Sequence, residues 1–395
     1  MLLILLISIS LFLTLNKPSK QVSSRPFYLG VEFAYGSQFN QLKALVDKVK
    51  NYTNLFVIGS VTLTFNRTAL TESCNYLNSS GLNFIVLITN YLMYNITNGW
   101  PGGNNIFDWI GNATQDYSDR LLGIYRFDEP GGNQLDDSTF QLINDTSFSY
   151  NQVASAYVGN LSIILHFYAT LAYASNAPEV KIFTSDYGLY WFDYQSGYST
   201  VFAELVGNQS RQRIIALERG AAQSFNQPWG VIITWKYDQA PYLESNDSMY
   251  TDLSQAYSAG ATYEVVFSYP NATVPGHPNE TLPGSYGTLT PDDLGVLQKF
   301  WTDIHTNPEQ FGSNPAEAAY VVPASFGFGF RSEDDHIWGI FPATSDKLTG
   351  KIWNDTQLLL TKYNGKLNII YDNQAIVEPT LNEYARVFYY NQTIT

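Results

Sequence analysis

From residue 27 onward, apolar residues recur in one rhythm: a short β-rich run, a polar turn, then apolar positions at helical spacing. The first run is Phe27–Ala34 (FYLGVEFA), and Leu42, Leu45, Val46 and Val49 follow it at i, i+3, i+4 and i+7, the stripe of an amphipathic helix. Runs at Leu55–Leu63, Phe84–Thr89, Leu121–Phe127, Val180–Ser185, Val201–Leu205, Gly230–Trp235 and Tyr263–Ser268 predict seven more strands. Helical patterns separate most of them, near 68–79, 106–117, 150–175 and 209–224 and over Tyr250, Leu253 and Tyr257. Thr290-Pro291-Asp292-Asp293 reads as the cap of a last helix whose face is Leu294, Leu297, Trp301 and Ile304. The strands are apolar throughout rather than alternating, as strands covered on both faces are. Eight strands alternating with helices predict an α/β fold, a (β/α)8 TIM barrel, whose usual length is about 250 residues. An open doubly wound sheet is the alternative.

Residues 25–305 would hold the barrel. The stretch 306–318 (TNPEQFGSNPAEA) reads as a linker. Residues 319–395 read as a smaller C-terminal α/β accessory domain. It has a strand near Tyr320–Val322, the aromatic-glycine stretch 326–330 (FGFGF), a helix near 347–363 stopped by Asn364-Gly365, and strands at Lys366–Tyr371 and Ala385–Tyr390. At the other end, Leu2–Leu15 is an uncharged apolar run of 14 residues. That is the length of a signal-peptide core and short of the roughly 20 residues of a membrane span. Residues 1–24 are therefore expected to be a signal peptide or an N-terminal membrane anchor, with any membrane attachment through residues 2–15.

Composition agrees with export. The chain has 395 residues with 21 Lys plus Arg against 35 Asp plus Glu, a net charge of −14. Such a surface repels phosphate backbones and excludes a nucleic-acid binder. Only 14% of residues are charged, against roughly 25% in an average soluble domain. At 45% hydrophobic the chain is nonetheless no disordered polymer. The single cysteine, Cys74, has no partner within the chain. N-x-S/T sequons, the acceptors of N-glycans, begin at Asn51, Asn66, Asn78, Asn95, Asn112, Asn144, Asn160, Asn208, Asn246, Asn271, Asn279, Asn354 and Asn391. That is 13 of 32 asparagines, where chance gives about five. Sequon-dense, charge-poor and nearly free of cysteine, the chain reads as an archaeal surface or extracellular protein. An acidic habitat, in which carboxylates are partly neutral, would suit its few charges.

In a barrel, chemistry sits at the C-terminal ends of the strands. The carboxylates expected there are Glu32, Asp128, Glu129, Asp186, Glu204 and Asp238. The sharpest motif is Arg126-Phe127-Asp128-Glu129-Pro130-Gly131-Gly132. Two adjacent acids at a strand end are costly to bury without a partner or a task. Asp128-Glu129-Pro130 resembles the Asn-Glu-Pro at the end of strand four in the large clan of (β/α)8 glycoside hydrolases, with Asp128 in place of the clan's Asn. More widely, YRFDEPGG, ERGAAQ and WGVIITWKY resemble a group of archaeal secreted glycosidase-like barrels. The resemblance implies glycoside hydrolysis with Glu129 as general acid/base. The clan's nucleophile is a Glu at the end of strand seven, where this chain has Thr234-Trp235-Lys236-Tyr237-Asp238. Other barrel glycosidases place their pair on strands four and six, which implies Glu204 as the partner, with Asp186 and Asp238 in reserve. Glycoside cleavage needs such a pair: one acid to protonate the leaving oxygen, one carboxylate as nucleophile or as base for water.

Substrate contacts are expected from Glu32, Asp128, Asp186, Tyr187, Trp191, Trp235, Tyr237 and Asp238, since aromatic planes pack on the C–H faces of sugars. The competing expectation is that Glu204 is an ion-pair partner of Arg211 or Arg219, and Glu129 of Arg126. No metal or cofactor site is read. The four histidines lack metal spacing, His166 falls on an apolar helix face as a core residue would, and Glu333-Asp334-Asp335-His336 reads as a solvated turn. Two functions remain: an exported glycoside hydrolase acting on polysaccharide or glycan, or a barrel that binds carbohydrate in the cell envelope without cleaving it.

Overall fold

The computed structural model describes residues 26–34, 36–88, 106–136, 138–174, 180–236, 242–268, 273–274, 277–281 and 289–394. Within them, eight parallel strands close a barrel in sequence order. They are β1 (Tyr28–Phe33), β2 (Leu55–Ile58), β3 (Asn83–Leu87), β4 (Leu121–Tyr125), β5 (Ile182–Asp186), β6 (Thr200–Leu205), β7 (Gly230–Ile233) and β8 (Tyr263–Ser268). The register of β8 against β1 (Tyr28 beside Tyr263, Phe33 beside Ser268) closes the cylinder, and the open-sheet alternative falls with it. Phe183, Phe202 and Tyr263 fill the interior with ring centroids 5.6–5.8 Å apart. Large rings in the lumen make a (β/α)8 barrel a packed core rather than a pore.

The outer layer is α1 (Phe39–Val49), α2 (Arg67–Ser79), α3 (Ile106–Asp116), α4 (Pro130–Leu135), α5 (Tyr150–Ala174), α6 (Tyr190–Ser196), α7 (Arg211–Ser224), α8 (Asn246–Ala259) and α9 (Pro291–Thr306). The apolar stripe of α1 is buried as its spacing predicts. Thr290 caps α9, its hydroxyl accepting from Asp293 N–H while the Asp293 carboxylate accepts in return. Three local expectations fail. β2 ends at Ile58, and Val61–Thr64 is a helical turn capped by Ser60, because a serine whose side chain accepts the Leu63 N–H ends a strand and starts a helix. The connections after β4 and β5 hold the short helices α4 and α6, which are too brief to show a helical period. His166 is exposed rather than in the core.

The stretch after α9 is a single 3-10 turn (Pro308–Phe311) and a short extended run pinned by Asn314 N–H to the Ser258 carbonyl. Beyond it, β9 (Ala318–Val322), β10 (Leu367–Tyr371) and β11 (Arg386–Tyr389) form a parallel sheet in the order β10-β9-β11, with α10 (Lys347–Tyr363) and α11 (Gln374–Leu381). This sheet is not a free-standing module. It shares one continuous apolar core with the barrel, through Trp338 against Tyr157 and Phe192 and through Tyr371 against Trp191. Phe326, Phe328 and Phe330 of the aromatic-glycine stretch are all buried in that core.

The polar clasp between the two parts is Arg219 on α7, which is fully buried. Its guanidinium donates to Asn368 Oδ1 (2.8 Å) and to the carbonyls of Asn314, Gly365 and Leu367 (2.9 Å each). Truncating it leaves buried acceptors bare, so Arg219→Ala should cost about 3 kcal/mol. Urea unfolding of the variant measures this, and an unchanged midpoint would show that the sheet docks without the clasp.

Candidate active site

Strand β4 continues through Arg126 into a turn in which both Phe127 (φ 55°) and Glu129 (φ 52°) are left-handed. Positive φ at two non-glycine residues so close together is costly and persists only where the surroundings enforce it. Here the enforcer is Asp186, at the end of the next strand. Its carboxylate accepts N–H bonds from Gly131 (2.5 Å) and Gly132 (2.8 Å) at the start of α4, and from Tyr187 (2.7 Å) and Gly188 (3.1 Å) on its own loop. Glu129 N–H bonds the Ser185 carbonyl (3.1 Å), and Asn133 Nδ2 holds the Glu129 carbonyl (2.7 Å). The glycine pair is dictated by this approach. A Cβ on Gly131 would lie 2.5 Å from the Gly188 carbonyl, and one on Gly132 would lie 2.2 Å from the Tyr187 ring.

The turn delivers Asp128 and Glu129 into the mouth, where they meet Glu32 of β1 and Glu204 of β6. Glu204 is 5% exposed and hydrogen-bonds Glu129. Burial, then Asp128 and Glu129, push Glu32 up to about 8. Burial, then Asp128 and Asp186, push Glu129 up to about 8, with its bond to Glu204 holding it back. Glu204 is raised well above the carboxylate range by burial and by Glu129 and Asp128. Asp128 is solvent-accessible, yet it sits deep enough among protein atoms that burial raises it too. The dominant forces on these four acids are burial and one another.

The expected cationic partners are engaged elsewhere. Arg211 pairs with Asp252 (2.7 Å) and Glu244 (3.2 Å), and Arg219 forms the clasp described above. Arg126 is buried below the turn, with Nη1 3.2 Å from the Ile88 carbonyl. The ion-pair reading of Glu204 therefore fails.

Hydroxyl groups link two of the acids instead. Ser185 Oγ donates to Glu204 Oε1 (2.5 Å), Tyr125 Oη donates to Ser185 Oγ (2.7 Å), and Tyr125 Oη is also bonded to Asp128 Oδ1. Three hydrogen bonds need three protons, and the two hydroxyls supply two. The third must come from a carboxyl at one end of the chain. That proton rests on Asp128 when Ser185 and Tyr125 both donate toward Glu204, and on Glu204 when both donate toward Asp128. A concerted shift along the chain exchanges the two states.

Of the residues expected to contact substrate, Glu32 and Asp128 join this cluster. Tyr187 stands beside it, half-buried, with its hydroxyl on Asp136 (2.5 Å). Trp235 lines the top of the barrel interior, packed on Tyr242 and Phe267. Asp186 and Trp191 require correction. Asp186 is fully buried and spends its oxygens on backbone N–H groups, so it positions Glu129 rather than meeting substrate. Trp191 is 2% exposed, sealed between Phe225 and Tyr371 at the junction with the C-terminal sheet. Tyr237 and Asp238 lie outside the described residues, as do residues 1–24, the side chains of Asn271 and Asn279, and Asn95.

Sequence reasoning missed Tyr125 and Ser185. Both look like ordinary strand residues, and only the inward direction of alternate positions on β4 and β5 could have marked them. It also missed the buttress behind the turn. Gln134 of α4 donates to the Trp338 carbonyl (2.9 Å), and Arg331 pairs with both Asp136 and Asp335. The C-terminal unit thus braces the helix that follows Glu129. Among the described residues no group of His, Cys, Asp and Glu is arranged to hold a metal ion.

No protein-family model and no curated protein sequence matches this chain. Solved structures do. A GH5_18 protein from Streptomyces cattleya in complex with GlcNAc aligns with a TM-score of 0.57 at 12% identity, over 93% of this chain and 99% of that one. A β-galactosidase from Rahnella sp. R3 aligns with a TM-score of 0.59 at 11% identity, over 93% and 67%. A β-galactosidase from the haloarchaeon Halorubrum lacusprofundi gives 0.55 at 11% identity, over 92% and 69%. At this identity the likeness establishes the shared barrel fold.

The acid cluster has a consequence for stability. Glu32 and Glu129 titrate near 8 in the fold against 4.5 as free side chains, and Asp186 near 7 against 3.8. Between those limits the folded chain holds protons that the unfolded chain releases, so stability falls as pH rises from about 4 to about 8 and is fully present below. The melting temperature should therefore be higher at pH 4 than at pH 8, and Glu32→Gln should flatten the slope. A melting temperature that climbs over this range would contradict the assigned protonation.

Proposed function

We propose that this chain is a secreted or cell-surface glycoside hydrolase that cleaves glycosidic bonds with Glu129 and Glu204. The observation that carries the reading is the meeting of these two carboxyls, from β4 and β6, at the C-terminal mouth of the barrel. Glu129, held protonated near neutral pH, is suited to protonate the leaving oxygen. In the state in which the Ser185–Tyr125–Asp128 chain keeps its proton on Asp128, Glu204 is the carboxylate that attack on the anomeric carbon needs. Inverting pairs stand about 6.5–9.5 Å apart to admit a water, and retaining pairs about 5–5.5 Å. Glu129 and Glu204 each shift the other's protonation, and the retaining arrangement is the one proposed for them. After attack, Glu129 as carboxylate draws the proton from the incoming water and is restored.

Carbohydrate is the expected partner. Among the structural neighbours, one GH5_18 protein is complexed with GlcNAc and a Glu-to-Ala variant of it with Manβ1-4GlcNAc. A β-linked glycan is accordingly the substrate class to try first. Trp235 and Tyr187 supply ring surface beside the acids. One observation favours a carbohydrate-binding barrel without catalysis: β7 ends in Thr234-Trp235-Lys236, with no acid where the glycosidase clan resembled by the Asp128-Glu129-Pro130 motif keeps its nucleophile.

Assay of sugar release from a panel of β-glycosides separates the two. Glu129→Gln and Glu204→Gln should each lower kcat by at least about 100-fold, the scale of general acid–base catalysis. In the wild type, kcat/KM should fall as pH rises through about 8, where Glu129 loses its proton. Equal activity in all three proteins would refute the assignment, and tight glycan binding without turnover in any would establish the binder.

A further inference from the structure

The sequons form a set with a structural signature of its own, independent of the enzymatic reading. Ten of them have their asparagine side chain among those described: Asn51, Asn66, Asn78, Asn112, Asn144, Asn160, Asn208, Asn246, Asn354 and Asn391. All ten are exposed. Of the thirteen other asparagines described, seven are exposed (Asn40, Asn75, Asn151, Asn226, Asn307, Asn364 and Asn382), while Asn54, Asn83, Asn133, Asn314, Asn368 and Asn373 are not.

The side-chain amides divide in the same way. Asn54, Asn83, Asn133, Asn307 and Asn368 use Nδ2 as a hydrogen-bond donor within the protein. None of the ten sequon asparagines does. Asn66 is instructive, because it caps α2 by accepting the Ala69 N–H at Oδ1 (3.1 Å), which leaves Nδ2 free. An N-glycan attaches at Nδ2, so even this capping asparagine can carry one without losing its cap.

Local structure does not otherwise explain these residues. Asparagine favours caps and turns and is a poor helix former. Yet Asn112, Asn160 and Asn354 sit in the interiors of α3, α5 and α10, on solvent faces where they bond nothing. Four more lie at the mouth side of the barrel: Asn66 and Asn208 on strand-to-helix connections, Asn144 between α4 and α5, and Asn246 at the first position of α8. The set covers the barrel flanks, the rim and the C-terminal unit.

We propose that these ten asparagines are N-glycosylation sites. The donor is an oligosaccharide linked to a lipid diphosphate. Asparagine Nδ2 forms a bond to the anomeric carbon and gives up one proton, the anomeric C–O bond to the diphosphate breaks, and the lipid diphosphate leaves with that electron pair. Neutral glycans then supply the hydration that a surface with 14% charged residues lacks.

The test is site-resolved peptide mass spectrometry on the protein isolated from its own cells. Peptides bearing Asn112, Asn160 and Asn354 should carry hexose or N-acetylhexosamine increments, while exposed asparagines outside sequons, Asn75 and Asn151, stay bare. The triple variant Asn112→Gln, Asn160→Gln, Asn354→Gln, expressed in the same cells, should keep its circular dichroism and lose three glycans' mass. Unmodified peptides at all ten sites, or an unchanged glycan mass in the triple variant, would overturn the proposal. Neither readout depends on glycosidase activity, so a failure here is distinct from a failure of the proposed reaction.

Discussion

Four backbone N–H groups converge on the Asp186 carboxylate, two from the turn after β4 and two from its own loop. This grip fixes the left-handed Glu129, and the rest of the mouth follows from it. It requires glycine at 131 and 132, because the β5 loop comes too close for a Cβ. It also requires Asp186 to be buried, so the acid is raised to about 7 even while accepting those bonds. A neighbouring acid, Asp193, is hydrogen-bonded to it and raised further still. The fold thus holds a string of buried carboxyls, which is stable only where protons remain on them.

That condition gives the mouth its chemical character. In water two adjacent carboxylates repel weakly and both ionise, but inside a protein the same pair shares protons. Glu32, Glu129 and Glu204 are raised chiefly by burial and by neighbouring acids, and Asp128 by burial, so a proton removed from one is retained by another. The hydroxyls of Tyr125 and Ser185 link Asp128 to Glu204, so that a proton can rest at either end of the chain. One acid then keeps its proton at a pH where its partner is an anion, the division of labour that glycoside cleavage requires. The C-terminal sheet contributes mechanically, by bracing α4 through Gln134, Trp338 and Arg331.

The strands were legible in the sequence because a barrel strand is covered on both faces and reads as an unbroken apolar run. The positions of Glu129 and Glu204 followed from counting to the ends of those runs. Their neighbours were not legible for a physical reason. A carboxylate held by backbone N–H groups, as Asp186 is, has the same one-letter signature as one that meets substrate, and the donors are invisible because every residue but proline carries one. Trp191 failed likewise: an aromatic just past a strand can face the mouth or the outer layer, and the C-terminal sheet that seals it lies about 180 residues further on. The Pro, Gly and Asn content of 306–318 marks irregular backbone, whereas its anchoring depends on Ser258 and Arg219 from distant helices and so leaves no local signal.

We propose that Glu204 is the nucleophile of a retaining pair whose acid is Glu129. Trapping with activated 2-deoxy-2-fluoro glycosides tests it directly, since such reagents stall a retaining enzyme as a covalent glycosyl ester. Peptide mass spectrometry after trapping should place the sugar on the peptide containing Glu204, and Glu204→Gln should take up none. A sugar ester on Glu32, Asp128 or Glu129 in its place would contradict the account.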